Sequence, residues 1–149
     1  MPQPIGRDLE VTSRKLQSWL SQRLPAARNL RIENLRGPKD TGFSSDTLMF
    51  DLHYEEKGQP RHQSLVVRLK PMTDFGVFPE YDVALQFHMM KALEPTPVPA
   101  PRMLWLEDDP APLGSPFYVM ERLEGQVPSD SPPYQTTGWI FDLPAADRT

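Results

Sequence analysis

Residues 41–71 of the chain read TGFSSDTLMFDLHYEEKGQPRHQSLVVRLKP. A small, hydroxyl-rich loop opens this run and leads into the stretch Leu48–Tyr54, whose apolar and polar residues predict a strand. Residues 56–60 supply a turn, and the β-branched run Ser64–Lys70 predicts a second strand. The sequence therefore places a β-hairpin, preceded by a flexible loop, at the centre of the fold.

The composition of this hairpin also suggests a way to hold phosphate. Gly42, Ser44, Ser45 and Thr47 offer backbone N–H groups and hydroxyls that can surround phosphate oxygens, and Arg68 can neutralise them. Ordinary strand connections have the same composition, however, and an Arg on a strand more often faces solvent than a ligand. The hairpin alone leaves both interpretations open.

Length and composition indicate one soluble domain. The 149 residues suffice for a substantial core, although the 18 prolines require long stretches of loop. The absence of cysteine excludes disulfides, thiolate catalysis and cysteine metal sites, and it is typical of a reducing cytosol, so we expect a cytoplasmic protein. A signal peptide and an apolar run of about 18 residues are both missing, so we expect no membrane partner.

Charge and histidine spacing argue against two further classes of protein. Residues 1–40 hold eight Lys/Arg and four Asp/Glu, but the basic residues alternate with Leu and Trp rather than forming a cluster. This pattern is typical of a solvated helix face, so we expect no nucleic-acid partner. His53, His62 and His88 lack the spacing of metal ligands, and we predict no metal site built from them.

The rest of the chain adds two helices and three strands to the hairpin. Helical spacing of apolar residues predicts a packing helix over 8–24, and residues 29–36 predict a first strand. Pro79 is suited to the first turn of a second helix, which we expect to pack through Leu85, Met89 and Leu93, widened by Val83, Phe87 and Met90. Alternate prolines predict an extended segment over 94–101, before strands at 102–106 and 116–123. The fold class is α+β, with a five-stranded antiparallel sheet, one packed helix and an extra N-terminal helix.

Five segments, in this order, resemble the aminoglycoside phosphotransferase family of the protein-kinase-like fold. They are GFSSDT at 42–47, LVVRLKP at 65–71, VFPEYDVALQFHMMKAL at 77–93, TPVPAPRMLW at 96–105 and LGSPFYVMERLEGQVPSDSPPY at 113–134. The resemblance implies an N-terminal lobe that covers ATP, in an enzyme that transfers the γ-phosphate to a small-molecule hydroxyl with Mg²⁺.

The resemblance also implies roles for particular residues. Gly42, Phe43, Ser44, Ser45 and Thr47 match the nucleotide-phosphate loop. Arg68 stands where kinases place the lysine of the third strand, and Gln86, with Glu80 as second choice, stands nearest the helix glutamate that pairs with it. An arginine does not simply replace lysine, and a neutral Gln86 could orient Arg68 without neutralising it. Val66 and Met120 would line the purine, and the backbone of Glu121 and Leu123 would read its edge.

The same resemblance divides the chain into an N-terminal tail and helix (1–28), a nucleotide-binding lobe (29–124), and a connector with the start of a truncated second lobe (125–149). No His is followed two residues later by Asp, so we expect the catalytic loop and the metal ligands downstream, and this chain alone to be inactive. Trp139 and Phe141 would then be exposed and favour self-association. The alternatives are a non-catalytic nucleotide-binding module and a protein-interaction module.

Overall fold

The computed structural model describes residues 7–37, 46–71, 81–126, 128 and 132–147. Its elements in chain order are α1 (Leu9–Arg23), β1 (Arg28–Arg36), β2 (Asp46–Glu56), β3 (Gln59–Leu69), α2 (Val83–Leu93), β4 (Met103–Glu107), β5 (Phe117–Glu121) and a 3₁₀ turn (Ala145–Asp147). The strands form one antiparallel sheet in the order β1-β2-β3-β5-β4. The predicted α+β class, with five antiparallel strands and two helices, is confirmed. Across these described ranges, none of the helices combines the length and the apolar character needed to span a bilayer.

The hairpin of β2 and β3 is longer than its sequence pattern predicted. The strands pair without interruption from Asp46 opposite Leu69 to Glu56 opposite Gln59. Lys57 and Gly58 alone form the turn, with φ of 51° and 72°. Two successive residues with positive φ are the mark of a tight hairpin turn whose twist matches that of the strands. The predicted turn over 56–60 was therefore too wide by three residues.

Helix α1 packs on one face of the sheet. The Asp8 side chain caps it by accepting hydrogen bonds from the N–H groups of Glu10 and Val11. The helix buries Leu16, Trp19 and Leu20 in a core that also contains the β3 side chains Leu65, Val67 and Leu69. The predicted packing helix is thus present, and it covers one face of the central strand.

Trp19 ties α1 to the far edge of the sheet. Its ring meets that of Phe117 edge-on, with centroids 4.8 Å apart, and its Nε1 donates to Glu107 Oε2 at 2.8 Å. Burial raises the pKa of Glu107, but hydrogen bonds from Trp19, from the Asp109 N–H and from Arg23 outweigh it, so the pKa is lowered overall. The charged carboxylate therefore joins α1 to the end of β4.

Helix α2 packs on the opposite face and begins later than predicted. Asp82 is its cap and accepts from the Leu85 N–H at 2.8 Å, so the first helical residue is Val83 rather than Pro79. Pro79 and Glu80 themselves lie outside the described residues. Asp82 lies just before the first turn, where its side-chain oxygen satisfies one of the N–H groups that have no partner within the helix.

The face that α2 turns toward the sheet also differs from the prediction. Val83 and Phe87 are buried with Met103 and Tyr118, and Met90 packs against them. Leu85 and Met89, which we predicted in the packed stripe, are 56% and 62% exposed. Val83, Phe87 and Met90 are spaced at i, i+4 and i+7, whereas Leu85 lies about half a turn away, so the helix cannot bury both sets against one sheet.

The prediction of an extended segment over 94–101 was wrong for its first residues. Residues 94–98 form turns and bends, and the Leu93 carbonyl accepts from both the Thr96 N–H at 2.9 Å and the Thr96 hydroxyl at 2.6 Å. A carbonyl left over at a helix end attracts such donors, and here it holds the chain folded despite the prolines. In the C-terminal segment, a 3₁₀ turn occupies Ala145–Asp147.

The buried side of α1 and the exposed side of α2 predict different losses of folding stability for a Leu→Ala substitution. Leu16→Ala removes a fully buried side chain of α1, so we expect a loss of roughly 2–5 kcal/mol in the free energy of unfolding. Leu85→Ala on the exposed side of α2 should change it by about 0.5 kcal/mol or less. Urea denaturation of both variants measures the difference, and equal losses would contradict the described packing of α2.

Candidate functional site

The α2 face of the sheet carries successive rows of side chains that cross several strands. Residues opposite one another in antiparallel strands share a face, and residues two apart along a strand fall on the same face. The polar row consists of Thr47, Arg68 and Tyr118; the apolar row consists of Met49, Val66 and Met120. The ionic row follows and consists of Asp51, Ser64 and Arg122. The stacked pair of His53 and His62 comes last.

Tyr118 links two predicted site residues in and beside the polar row. Its side chain is 2% exposed, and its hydroxyl donates to Gln86 Oε1 of α2 at 3.3 Å. The Arg68 side chain hydrogen-bonds to the same phenol. Burial raises the pKa of Tyr118 above its ordinary value even though the positive charge of Arg68 lowers it, so the phenol is neutral at physiological pH. Arg68 and Gln86 therefore both contact the Tyr118 hydroxyl.

The apolar row lies one step further along the strands. Val66 is buried, with 7% of its surface exposed, while Met49 and Met120 on either side are half-buried. Met120 also packs against the core beneath α2. Three apolar side chains side by side on a sheet present a surface that suits a flat aromatic ligand.

The ionic row fixes the end of β5. Arg122 Nη2 lies 3.3 Å from Asp51 Oδ1 and donates to Ser64 Oγ at 3.0 Å, and Ser64 in turn donates to the same Asp51 oxygen at 3.0 Å. Asn34 donates to the other carboxylate oxygen at 2.8 Å. The side chains of Asp51 and Arg122 are only 13% and 15% exposed, so this pair is less screened by water than a surface ion pair.

Hydrogen bonds set the pKa of Asp51. The bond from Asn34 lowers it most; burial opposes this, and Ser64 with the charges of Arg122 and His62 lowers it further, so the pKa lies below the ordinary Asp value. The carboxylate is therefore ionised at neutral pH and available to hold Arg122.

Backbone bonds hold the same strand end on two sides. The Glu121 N–H donates to the Arg102 carbonyl at 2.9 Å, and the Arg122 N–H donates to the Ser64 carbonyl at 2.9 Å. Leu123, one residue further, has a side chain that is 57% exposed. The backbone of Glu121 and Leu123 was predicted to contact the edge of a purine. Hydrogen bonds at Glu121 and Arg122 therefore fix the point at which this segment leaves the sheet.

A cavity of about 230 Å³ lies beside this strand end, lined in part by Gln63, Ser64, Arg102, Glu121 and Arg122. Of the predicted site residues, Glu121 alone is among its lining residues. The sheet face bearing the polar and apolar rows, rather than this cavity, therefore carries most of the predicted ligand contacts that the structure describes.

Most of the predicted site residues that the structure describes lie on the α2 face of the sheet. Thr47, Val66, Arg68 and Met120 share that face, and Gln86 meets it through Tyr118. Gly42, Phe43, Ser44 and Ser45 lie outside the described residues. Sequence reasoning missed Met49, Asp51, Tyr118 and Arg122. The available signal was the two-residue period of the strands: Met49, Tyr118 and Arg122 each stand two positions from a candidate residue, and Asp51 stands four positions from Thr47.

A family model described as the phosphotransferase enzyme family matches residues 48–145, about two thirds of the chain. The chain belongs to this family. The match includes β2, β3, α2, β4 and β5, and therefore all three named rows except Thr47.

A solved structure supports the same assignment for this phosphotransferase-family chain. The crystal structure of a protein from Ralstonia eutropha JMP134, proposed to be an aminoglycoside phosphotransferase, shares 25% sequence identity with it and superposes with a TM-score of 0.53. The similarity covers 91% of this chain and 32% of that one, so the chain spans about a third of the length of the structure that it matches. The predicted kinase-like fold is confirmed by this likeness.

The part of the chain that the structure describes contains no group of three or more His, Asp or Glu side chains placed to hold a metal ion. Mg²⁺ therefore remains an expectation drawn from the family resemblance, and no described side chain is assigned to it.

The ionic row predicts a pH-dependent stability. Asp51→Asn should lower the free energy of unfolding at pH 7 by roughly 1–3 kcal/mol, because it removes the charge that holds Arg122. Because the folded-state pKa of Asp51 is lowered, its contribution is complete above the unfolded-state value of about 4 and disappears as the pH falls through the folded-state value. Wild type and variant should therefore converge in acid when urea midpoints are measured from pH 7 downward.

The exposed Asp108 offers a matched control for this experiment. Asp108→Asn should leave the urea midpoint close to that of the wild type across the same pH range. A gap between wild type and Asp51→Asn that stays constant into acid would contradict the assigned role of the carboxylate.

Proposed function

We propose that this chain binds ATP on the α2 face of its sheet, as the nucleotide-binding lobe of a kinase-like phosphotransferase. The observation that carries the proposal is the order of groups along the strands. The Arg68 cation comes first, the apolar side chain of Val66 follows, and the end of β5 at Glu121, fixed by backbone hydrogen bonds, comes last. A nucleotide has the same order of parts: charged phosphates, a flat apolar base and a polar base edge. Membership of the phosphotransferase family favours this ligand over other anions.

The phosphate end of the ligand would meet the polar row. The Arg68 guanidinium offers fork-like donors and a permanent positive charge, which suit phosphate oxygens. The hydroxyl of Thr47, opposite Arg68 on β2, would add a donor on the same face. The loop residues Gly42, Phe43, Ser44 and Ser45 lie just before β2 in the sequence, and we propose that they cover the phosphates.

The base would lie against the apolar row. Val66, Met49 and Met120 would exclude water from one face of the purine, and the Glu121 carbonyl with the Leu123 N–H would contact its edge. Because the Glu121 N–H is already bonded to Arg102, the donor to the base has to come from Leu123. The ionic row would hold this backbone in register with the apolar row.

The reaction that we propose for the complete enzyme is transfer of the ATP γ-phosphoryl group to a hydroxyl of a small molecule. Such catalysis consists mainly of positioning and charge neutralisation, to which Arg68 would contribute, while Mg²⁺ would neutralise further phosphate charge. These 149 residues contain no His-x-Asp motif of the kind that the resemblance leads us to expect in the catalytic loop. For this chain, the proposal is therefore limited to binding the nucleotide.

Calorimetric titration with ATP tests the proposal. Wild type should bind ATP saturably, and Arg68→Ala should weaken the binding roughly ten- to a hundredfold, since a charged hydrogen bond to phosphate is lost. Adenosine, which has no phosphate, should bind both proteins equally. Arg61→Ala is the matched control: it changes an exposed arginine of the same strand on the opposite face, and ATP affinity should change by about twofold or less.

The titration also separates the alternatives. Saturable ATP binding that survives Arg68→Ala unchanged would refute the assigned role of the polar row. A wild-type chain that binds neither ATP nor adenosine would refute the proposed function and favour a protein-interaction module.

A further inference from the structure

We propose that Tyr118 is a positioning residue for the phosphate contact: its phenol holds Arg68 toward the triphosphate and is itself held by Gln86. The inference rests on the proposed nucleotide function and adds to it a residue that sequence reasoning passed over. It also specifies how a chain with Arg68 and Gln86 keeps its cation in place, since these two residues cannot form the ion pair of a lysine and a glutamate.

Arg68 and Tyr118 lie side by side in the sheet. Arg68 and Tyr118 are direct cross-strand partners of β3 and β5, so their side chains stand on the same face beside one another. The phenol hydrogen-bonds to the guanidinium, and its own proton goes to Gln86 Oε1 at 3.3 Å. One oxygen thus accepts from the β-sheet cation and donates to helix α2.

The Tyr118 ring is held more rigidly than the Arg68 side chain. The Tyr118 side chain is 2% exposed, and its ring packs at 6.2 Å between centroids against that of Phe87, which is itself buried. A hydroxyl on so confined a ring has little freedom, whereas the long arginine side chain has several rotatable bonds. The phenol therefore supplies the fixed point, and ordering the guanidinium before the ligand arrives reduces the entropy lost on binding.

The bridge from Gln86 through Tyr118 to Arg68 contains only neutral groups besides the guanidinium. The pKa of Tyr118 is raised by burial, and Gln86 is neutral at every pH, so this bridge brings no negative charge to the guanidinium. A carboxylate in the place of Gln86 would orient the cation and at the same time oppose its attraction for phosphate. The neutral bridge orients Arg68 without that opposition, so its effect should grow with the charge of the nucleotide.

The test compares ATP with adenosine in wild type and Tyr118→Phe. The phenylalanine ring preserves the packing on Phe87 and removes only the hydroxyl, so we expect ATP affinity to fall roughly three- to tenfold while adenosine affinity is unchanged. In the double variant with Arg68→Ala, the Tyr118→Phe change should have almost no further effect on ATP, because the residue acts through Arg68.

Two further variants sharpen the test. Gln86→Met removes the acceptor at nearly constant size and helix propensity, and it should lower the ratio of ATP to adenosine affinity in the same direction as Tyr118→Phe. Tyr54→Phe is the matched control, because Tyr54 is 8% exposed and belongs to the core on the α1 face. It should leave both affinities unchanged.

Each remaining outcome overturns the inference. If Tyr118→Phe binds ATP as tightly as wild type, the phenol does not position Arg68. If it loses ATP and adenosine affinity by the same factor, its role is packing alone. If the wild type binds no ATP, the proposed function fails first and this inference fails with it, a result that the wild-type titration distinguishes from the other two.

Discussion

Strand β3 lies in the middle of the sheet and packs one of its faces into the core beneath α1, so its two-residue period decides which side chains lie on each face. Leu65, Val67 and Leu69 go into the core beneath α1, and the residues between them must point to the other side. Val66 and Arg68 are those residues. A slip of one position in the pairing would bury the arginine under α1 and expose the core, a change that burial on the α1 face strongly opposes.

The α1 core therefore determines the chemistry of the opposite face. Because it fixes β3, and β2 and β5 are in register with β3, the polar, apolar and ionic rows follow in a fixed order. Helix α2 covers only the part of this face near β4 and β5, where Val83 and Phe87 are buried. The polar row ends at its margin, so that Gln86 can meet Tyr118.

The sequence was informative where the structure depends on local patterns. The alternation of side chains between the two faces of β3 was visible in the sequence. The hairpin, the two helices and the candidate residues Val66 and Arg68 were visible as well. The contact of Arg68 with Tyr118 was not visible, because it depends on the register of two strands about 50 residues apart in the chain. The orientation of α2 was not visible in the sequence either, because the helix has two apolar stripes. The contacts with Met103 and Tyr118 select the stripe that contains Val83 and Phe87. Gly42–Ser45 lie outside the described residues, so their role stays a prediction.

The central claim is that ATP lies on the α2 face across the polar and apolar rows. Methyl NMR of the chain labelled at methionine tests it most directly, since the methionines sample different places: Met49 and Met120 lie in the apolar row, whereas Met89 is exposed on the outer side of α2. Addition of ATP should shift the Met49 and Met120 methyl signals in a saturable manner and leave that of Met89 in place. Saturable shifts at Met89 with none at Met49 and Met120 would contradict the account.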